Sequence, residues 1–386
     1  MGFLRDLLRI PSLPGQEGEV ADRVAQEMRR LGYDTVRIDD AGNVVGRVRG
    51  RGEAPEMMLN THLDHVDVGD PEAWEHGPFA AEVAEDRVWG RGAVDIKGPL
   101  AAQVHGVGRL AETGRSPPGD VVVTAVVQEE IGGLGARHLV EELRPALVVV
   151  GEPSGNRLRR GHRGRAELVV HVRGRSAHAS APHRGANPHY VLASFLEKLS
   201  GIELPEDPDL GRSTVAPTLV RTDQESPNVI PGEAWLTLDC RLVPGQSAAD
   251  ARRSLAPALE ESLVDGASAE IEIPTYRRVA YTGLEVAMPA ENPAYVLPAD
   301  HPAVTAAADV LEAETGERPP VGVWGFATDG GHFAAAGMTV VGLGPGEEEL
   351  AHTVEESVEI DQLVTATRAY GALALRWPSA VPSASG

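Results

Sequence analysis

The chain has 386 residues, of which 42% are hydrophobic, and this is more than one ordinary core requires, so two domains are expected. Its 57 acidic residues outnumber the 35 basic ones, and no Lys/Arg-rich block interrupts the formal net charge of -22. We therefore expect neither nucleic acid nor an anionic membrane surface as a partner.

The N-terminus and the cysteine content bear on the compartment. The N-terminal run MGFLRDLLRIPSLPGQEGE lacks the charged and then apolar pattern of a signal peptide, and no run approaches the length of a membrane span. The single cysteine, Cys240, cannot form an intrachain disulfide and lies in the alternating run AWLTLDCRLV. We expect a cytoplasmic protein in which Cys240 is a small buried side chain and not a catalytic thiol.

Apolar runs alternate with helical patterns in the first half of the chain. The predicted elements are a helix over 18–31, a strand over 56–63, a helix over 98–113, and the β-prone runs DVVVTAVVQEE and ALVVVGEPS with a helical stretch between them. Such alternation predicts an α/β fold with a mainly parallel sheet flanked by helices.

The pattern changes after residue 163. The runs AELVVHVRG, ANPHYVLASFLEKLS, TVAPTLVRT, AWLTLDCRLVPG, AADARRSLAPALEESL and AEIEIPTY read as β-α-β-β-α-β, the ferredoxin-like plan. The α/β pattern then resumes with a helix after Asp300, strands near VGVWGF and TVVGLGPG, and a closing helix over 360–376. We expect an α+β domain over 164–277 inserted into a larger domain formed by 1–163 and 278–386, with a disordered, Pro-rich tail over 378–386.

Most candidate metal ligands follow predicted strands, at the edge where open α/β sheets bind ligands. Each has an ordinary alternative by itself, such as a helix cap, a solvated turn or a surface histidine. Together they offer nitrogen and oxygen ligands without thiolate, which suits Zn²⁺, Co²⁺ or Mn²⁺, and one carboxylate can bridge two such ions. The candidate ligands are His62, Asp95, Glu130, Glu152 and His352.

Two pairs of residues close in sequence each combine a candidate metal ligand with a second polar group expected to assist it. His62 and Asp64 are separated by one residue, so on an extended chain both point to the same side, and Asp64 is expected to orient the imidazole through its second nitrogen. Glu129 and Glu130 are adjacent and diverge, so one can bind a metal while the other reaches past it. Two neighbouring acids would repel unless a cation or a shared proton relieves them. His65 and Asp67 are left without a role.

Seven motifs in order, THLDH, GRGAVDIKG, QEEIGGLGA, GEPSG, GRSAHASAPHRGANP, NVIPGEAWLTLDCRLVPGQ and GPGEEELAHTVEE, span almost the whole chain. In these motifs the chain resembles the zinc amidohydrolase and metallopeptidase family of acetylornithine deacetylase, succinyl-diaminopimelate desuccinylase, aminoacylase and carboxypeptidase G. The branches that it most resembles are the selenium-metabolism-associated hydrolase and the hydrolase that releases lysine from an amino-group carrier protein.

The resemblance implies two divalent metal ions per chain, with Zn²⁺ expected. Asp95 would bridge the ions, His62 and Glu152 would complete one site, and Glu130 and His352 would complete the other. The inserted domain would be the family's lid and dimerisation domain, the larger domain would be catalytic, and the protein would be a homodimer.

The resemblance also implies the remaining site residues. Glu129 would be the general base, and His178 would reach the oxyanion from the partner subunit. Asn228 and Arg241 would help to bind the substrate, and Arg163 would contact a substrate carboxylate. The expected reaction is hydrolysis of the amide bond of an N-acyl amino acid or small peptide. The alternatives are a dipeptidase or carboxypeptidase, and an inactive binding protein of the same fold.

Overall fold

The structure is a computed structural model that describes residues 1–381. Its helices are α1 (Gly2–Leu8), α2 (Gly18–Arg30), α3 (Lys97–Glu112), α4 (Leu134–Glu142), α5 (Pro188–Leu199), α6 (Ala248–Glu260), α7 (Pro302–Thr315), α8 (Gly330–Ala335) and α9 (Ile360–Ala380). Within residues 1–381, no helix is both long enough and apolar enough to cross a bilayer.

The strands, in chain order, are β1 (Thr35–Ile38), β2 (Val44–Val48), β3 (Met57–His62), β4 (Glu82–Ala84), β5 (Arg87–Trp89), β6 (Val121–Val126), β7 (Leu147–Val150), β8 (Leu158–His162), β9 (Gly164–Arg173), β10 (Ala177–His178), β11 (Glu206–Asp207), β12 (Gly211–Arg212), β13 (Thr214–Thr222), β14 (Val229–Ile230), β15 (Glu233–Leu242), β16 (Ser268–Glu272), β17 (Thr275–Val279), β18 (Glu285–Pro289), β19 (Glu291–Asn292), β20 (Tyr295–Val296), β21 (Val321–Trp324), β22 (Thr339–Gly342) and β23 (Ser357–Glu359).

The main sheet has nine strands in the order β1-β2-β6-β3-β7-β22-β8-β20, with β21 also pairing with β8. Its middle strands β6, β3, β7 and β22 are parallel, and antiparallel pairs lie toward both edges. Every residue of β3, β6 and β7 is buried, as expected of parallel strands covered on both faces. The predicted α/β fold with a mainly parallel central sheet is confirmed.

Alternate residues of the middle strands contribute to two hydrophobic cores, one on each face of the main sheet. Met57 and Leu59 of β3 join the core built with α1, α2, α3, α7 and α9, whereas Met58 joins the core built with α4 and α8. Helix α9 belongs to the first core through Trp377, whose indole donates to the Ala303 carbonyl at 2.9 Å. This packing carries the helix through Pro378 to Ala380, so the predicted tail over 378–386 begins inside it, and residues 382–386 lie outside the described chain.

A second sheet runs in the order β13-β15-β9-β16, and β19 pairs with β9. All of its pairs are antiparallel. Alternate residues of β15 are buried, Cys240 among them, and pack with α5 and α6 on one face. This strand order is that of a β-α-β-β-α-β unit. Cys240 is a core side chain, as expected, and its burial raises the pKa of the thiol to about 12.

Several elements were not foreseen from the sequence. They include α1, the short antiparallel edge strand β1, the three-stranded sheet β23-β5-β4, and the hairpin of β17 and β18. Position 277, the predicted end of the inserted domain, lies within β17. The hairpin contacts the loop after β6, where Gln128 Nε2 donates to the Val279 carbonyl at 2.7 Å, so it lies beside the site described next.

Candidate metal centre

The candidate ligands come from five separate segments. His62 is the last residue of β3, and Glu130 and Glu152 follow the neighbouring parallel strands β6 and β7. Asp95 precedes α3, and the peptide bond between Asp95 and Ile96 is cis. His352 lies between β22 and β23 in a left-handed backbone conformation with φ 65°. The parallel strand ends thus place three ligands at one edge, and two loops bring the others to it.

All five predicted ligands meet around Asp95. Its Oδ1 lies 3.0 Å from Nε2 of His62, and its Oδ2 lies 3.1 Å from Nε2 of His352. Glu152 Oε1 lies 3.7 Å from the His62 nitrogen, and Glu130 Oε1 lies 3.2 Å from the His352 nitrogen. The two oxygens of one carboxylate therefore face two separate groups, each containing one imidazole and one further acid.

These spacings suit ligands that share a metal ion. Tetrahedral ligands with bonds of about 2.0 Å are about 3.3 Å apart. The measured contacts among His62, Asp95, Glu130, Glu152 and His352 range from 3.0 to 3.7 Å. Donor atoms of His62, Asp95 and Glu130 also all lie within 4.8 Å of one another. The donor set fits divalent cations in both number and type.

The charge of the centre also calls for cations. Burial raises the pKa of Glu129 and Glu152 well above the usual range, and neighbouring acids push both values in the same direction. Burial, and then Asp95, raise the pKa of Glu130. Hydrogen bonds to Asp95 and Glu130 raise the pKa of His352 to about 10, so the acids draw positive charge to this position. Divalent cations would relieve this repulsion among buried carboxylates.

Asp64 links the two sides of the centre. It is fully buried, and its carboxylate accepts the backbone N–H groups of Glu129 and Glu130, each at 3.1 Å. Nδ1 of His62 lies 3.1 Å from the Asp64 carbonyl and 3.4 Å from its carboxylate. Asp64 thus fixes the loop that carries both glutamates as well as the ring of His62. By contrast, His65 accepts the Ser12 N–H at 2.9 Å and holds the N-terminal segment against this strand end.

His178 and Asn228 lie together, but on a separate two-stranded ribbon. His178 of β10 pairs with Val229 of β14, and Ala179 N–H donates to the Asn228 carbonyl at 2.9 Å. His178 is exposed, and its Nδ1 accepts the Ser180 N–H at 3.1 Å. A neutral ring in this arrangement carries its proton on Nε2. Within residues 1–381, the hydrogen bonds of His178 are local and do not reach the metal centre.

The two predicted arginines differ in position. Arg241 lines a cavity of about 310 Å³ that also contains Glu129 and Glu130. Its Nε donates to Asp239 at 2.8 Å. Nε of Arg163 instead donates to the Leu210 carbonyl at 2.8 Å, and this residue does not line the cavity.

Asp329 was missed by the sequence reasoning. It is 1% exposed, neither carboxylate oxygen has a hydrogen-bond partner within the described chain, and burial raises its pKa to about 7. It is also the acid that contributes most to the raised pKa of Glu129. The signal was present in the sequence, because Asp329 follows β21 and precedes a Gly-Gly pair at the start of α8.

A second group of possible ligands lies on the open face of the second sheet, formed by His171, Glu270 and Glu272. Here the charges are already paired, since His171 contacts Glu233 at 2.5 Å and Glu270 contacts Arg173 at 2.5 Å. Only the group around Asp95 combines burial with unrelieved negative charge among the described candidates.

The sequence matches the family model described as peptidase family M20/M25/M40 over residues 58–376. It is 32% identical over 385 residues to the uncharacterized protein YgeY of Escherichia coli strain K12, covering 97% of this chain and 93% of that protein. It is 31% identical to a succinyl-diaminopimelate desuccinylase of Cereibacter sphaeroides, covering 93% of both chains. It is 30% identical to a putative [LysW]-lysine/[LysW]-ornithine hydrolase of Pyrobaculum aerophilum, covering 95% of this chain and 94% of that one.

Solved structures share the fold. The aminopeptidase PepT of Bacillus cereus aligns with a TM-score of 0.75 and 18% identity, covering 97% of both chains. The Bacillus subtilis YXEP protein, described as a dinuclear metal binding peptidase, aligns with a TM-score of 0.71 and 17% identity, covering 97% of this chain and 96% of that one. The likeness therefore extends over both sheets of the molecule.

Proposed function

The chain belongs to the peptidase family M20/M25/M40 and is a metal-dependent hydrolase, and on that premise we propose that it cleaves the amide bond of an N-acyl amino acid. The products would be a free amino acid and a carboxylic acid. One observation carries this proposal: the two oxygens of Asp95 lie 3.0 and 3.1 Å from the imidazole nitrogens of His62 and His352.

We propose that each chain holds two divalent ions. His62, Asp95 and Glu152 would hold one ion, and Glu130, His352 and the other oxygen of Asp95 would hold the second. Zn²⁺ suits this nitrogen and oxygen donor set, as do Co²⁺ and Mn²⁺. Ions bound here would polarise the scissile carbonyl and lower the pKa of water.

Glu129 is proposed as the general base. It would take a proton from the attacking water and pass it to the leaving amine. Its position supports this role, because Glu129 is adjacent to the proposed ligand Glu130 and lines the same cavity. Asp64 would position Glu129 and the ligand Glu130 through their backbone N–H groups.

We propose that the protein is a homodimer in which residues 164–277 form the lid and dimerisation domain. The outer strand β13 supports this, because Leu219 and Val220 on it are 68% and 57% exposed. Unpaired edge strands with exposed apolar residues favour pairing with a second chain. His178 would then reach the partner's site, where its Nε2–H would donate to the oxyanion of the tetrahedral intermediate.

Substrate recognition is assigned to the cavity beside the metal centre. Arg241 would bind a substrate carboxylate from one wall of this cavity, and Asn228 would act beside His178. Arg163 would contribute only if its guanidinium left the Leu210 carbonyl.

We also propose that the protein is cytoplasmic.

Peptide hydrolysis is the second candidate function, since an aminopeptidase shares the fold and the same groups would cleave a peptide bond. Deacylation is favoured because relatives at 30% identity or more include a desuccinylase and a putative [LysW]-lysine/[LysW]-ornithine hydrolase. An inactive binding protein of this fold would be expected to lack a ligand or the base, and here all of these residues are present.

The test is a substrate panel. Metal-reconstituted protein would be incubated with N-acetyl, N-succinyl and N-glutaryl amino acids and with dipeptides, and the released amine would be measured. We expect turnover of at least one N-acyl amino acid at a higher kcat/KM than any dipeptide. Turnover of dipeptides alone would assign the peptidase function instead.

A further inference from the structure

The cavity beside the metal centre contains more arginines than one substrate carboxylate requires. Its walls come from the loop of Glu129 and Glu130, from strands β9 and β15, and from the β17–β18 hairpin. Three arginines line it: Arg165, Arg241 and Arg278. The three arginines differ in whether a carboxylate already pairs with them.

Arg165 and Arg241 share one acid. Arg165 Nε donates to Asp239 at 2.7 Å, and Arg241 Nε donates to the other oxygen of Asp239 at 2.8 Å. Arg278 makes no ion pair with any residue in the 1–381 range. Its Nε donates to the Ile131 carbonyl at 3.2 Å, and its guanidinium carbon lies 4.9 Å from the centre of the Tyr276 ring.

The acids of the same cavity face other partners, and none of them makes an ion pair with Arg278 within residues 1–381. Glu167 accepts the Tyr276 hydroxyl, and Glu291 accepts the Ala248 N–H at 2.7 Å at the start of α6. Glu129 and Glu130 belong to the proposed metal centre. Within the described chain, the cavity therefore retains one guanidinium that no carboxylate pairs with.

The arginine is held in place. Gln128 Nε2 donates to the Val279 carbonyl at 2.7 Å, which ties β17 to the loop of the two glutamates. The Ile131 contact occupies Nε of Arg278, and both terminal nitrogens have no hydrogen-bond partner among residues 1–381. A guanidinium fixed in this way presents a fork that matches a carboxylate with two parallel hydrogen bonds, which a lysine cannot reproduce.

We propose that Arg278 binds a second carboxylate of the substrate, distinct from the one assigned to Arg241, so that the preferred substrates are N-acyl amino acids with two carboxylates. This rests on the proposed amide hydrolysis and narrows its substrate class. The second carboxylate comes either from a dicarboxylic acyl group or from an acidic amino-acid side chain, since both present the same group to the guanidinium.

Two pairs of near-isosteric substrates separate these sources. N-succinyl-alanine and N-succinamoyl-alanine differ only in the charge of the acyl group, and N-acetyl-glutamate and N-acetyl-glutamine differ only in the charge of the side chain. In one of the pairs, the wild-type protein should prefer the charged member in kcat/KM by roughly 10- to 100-fold, the usual range for a hydrogen bond to a charged group. The pair that shows the preference identifies the source of the carboxylate.

Arg278→Gln should reduce that ratio to near one, chiefly through KM of the charged member. Arg278→Lys should keep only part of the wild-type preference for the charged member. The matched control is Arg277→Gln on the same strand, because Arg277 pairs with Glu285 and its side chain is 70% exposed. This control should leave the ratio as in the wild type.

A binding measurement keeps the inference independent of turnover. Calorimetry with succinate and with its monoamide should show tighter binding of succinate to the wild type, and a loss of about tenfold in Arg278→Gln. An unchanged charged-to-neutral ratio and unchanged succinate affinity in Arg278→Gln would overturn the inference while leaving the amide hydrolysis intact. Absence of turnover on every N-acyl substrate would overturn the proposed function, and the succinate titration would still decide whether Arg278 binds a carboxylate.

Discussion

Replacing Asp64 by Asn tests how the metal centre is positioned, because this residue contacts both halves of it. The Asp64 carboxylate accepts two backbone N–H groups, from Glu129 and Glu130, at 3.1 Å each. It also lies 3.4 Å from Nδ1 of His62. Asn has the same shape but offers one acceptor oxygen and one NH₂ group.

The size of the expected loss in metal affinity follows from these contacts. In Asp64→Asn one of the two N–H groups would face an NH₂ group, so one charge-assisted hydrogen bond is lost and a buried donor is left without a partner. Such a change costs about 1.5–3 kcal/mol. Because Glu130 is a proposed ligand and His62 loses its anionic neighbour, we expect metal affinity to fall by about 10- to 100-fold.

The assay is a competition titration of Zn²⁺ between the protein and a chromophoric chelator, run beside urea unfolding of the metal-free protein. Asp67→Asn is the control, since Asp67 is exposed and caps only the Gly69 N–H. Wild-type metal affinity in Asp64→Asn, together with unchanged unfolding, would refute the positioning role. Loss of stability without loss of metal affinity would show that Asp64 only supports the fold.

Three further results are expected. Glu129→Gln should keep its metal while turnover falls by roughly two to four orders of magnitude, whereas Glu130→Gln should lose metal; loss of metal in Glu129→Gln would mean that the two roles are reversed. His178→Ala and Glu129→Gln homodimers should each be nearly inactive, but reassociated heterodimers should regain up to about a quarter of wild-type activity at equal mixing; no recovery despite heterodimers detected by mass would place His178 in its own chain's site or in none. Burial alone would raise the pKa of Glu27, but hydrogen bonds from Arg30 and Arg23 lower the pKa overall. Glu27 therefore stabilises the folded protein above its unfolded-state pKa of about 4.3, and this stabilisation is lost as the pH falls through its folded-state pKa. Glu27→Gln should therefore destabilise the protein by about 1–2 kcal/mol at pH 7 and by less below about pH 4, with the exposed Glu19→Gln as control; a pH-independent difference in urea unfolding would contradict this.

The middle of the main sheet could be predicted because its strands are almost wholly apolar. Strands β3, β6 and β7 are continuous buried runs, and polar residues follow them where parallel strands end. The short strand β1 has only part-buried or exposed residues, so no continuous run marked it. Hydrophobic pattern locates strands that are buried on both faces, and it is weak for short strands at an edge.

The candidate ligands could be picked out from the sequence, but the residues that line the cavity beside them could not. Three of the candidate ligands, His62, Glu130 and Glu152, lie at or just after strand ends, where a merely solvated turn was the main alternative. Arg163 and Arg165 are two positions apart, yet only Arg165 lines the cavity, because Arg163 is bonded to the Leu210 carbonyl. Arg278 lies on a hairpin that no pattern predicted. Which arginines face a cavity depends on packing between segments far apart in sequence, and local sequence does not encode that packing.

We propose that amide hydrolysis depends on metal held around Asp95, and one titration decides whether it does. Chelated protein would be titrated with Zn²⁺, and bound metal and turnover of the best N-acyl substrate would be measured on the same samples. We expect activity to be absent without metal, to return as metal binds, and to level off at no more than two ions per chain. Full activity in a preparation shown to be free of metal would show that the hydrolysis does not depend on metal at this site.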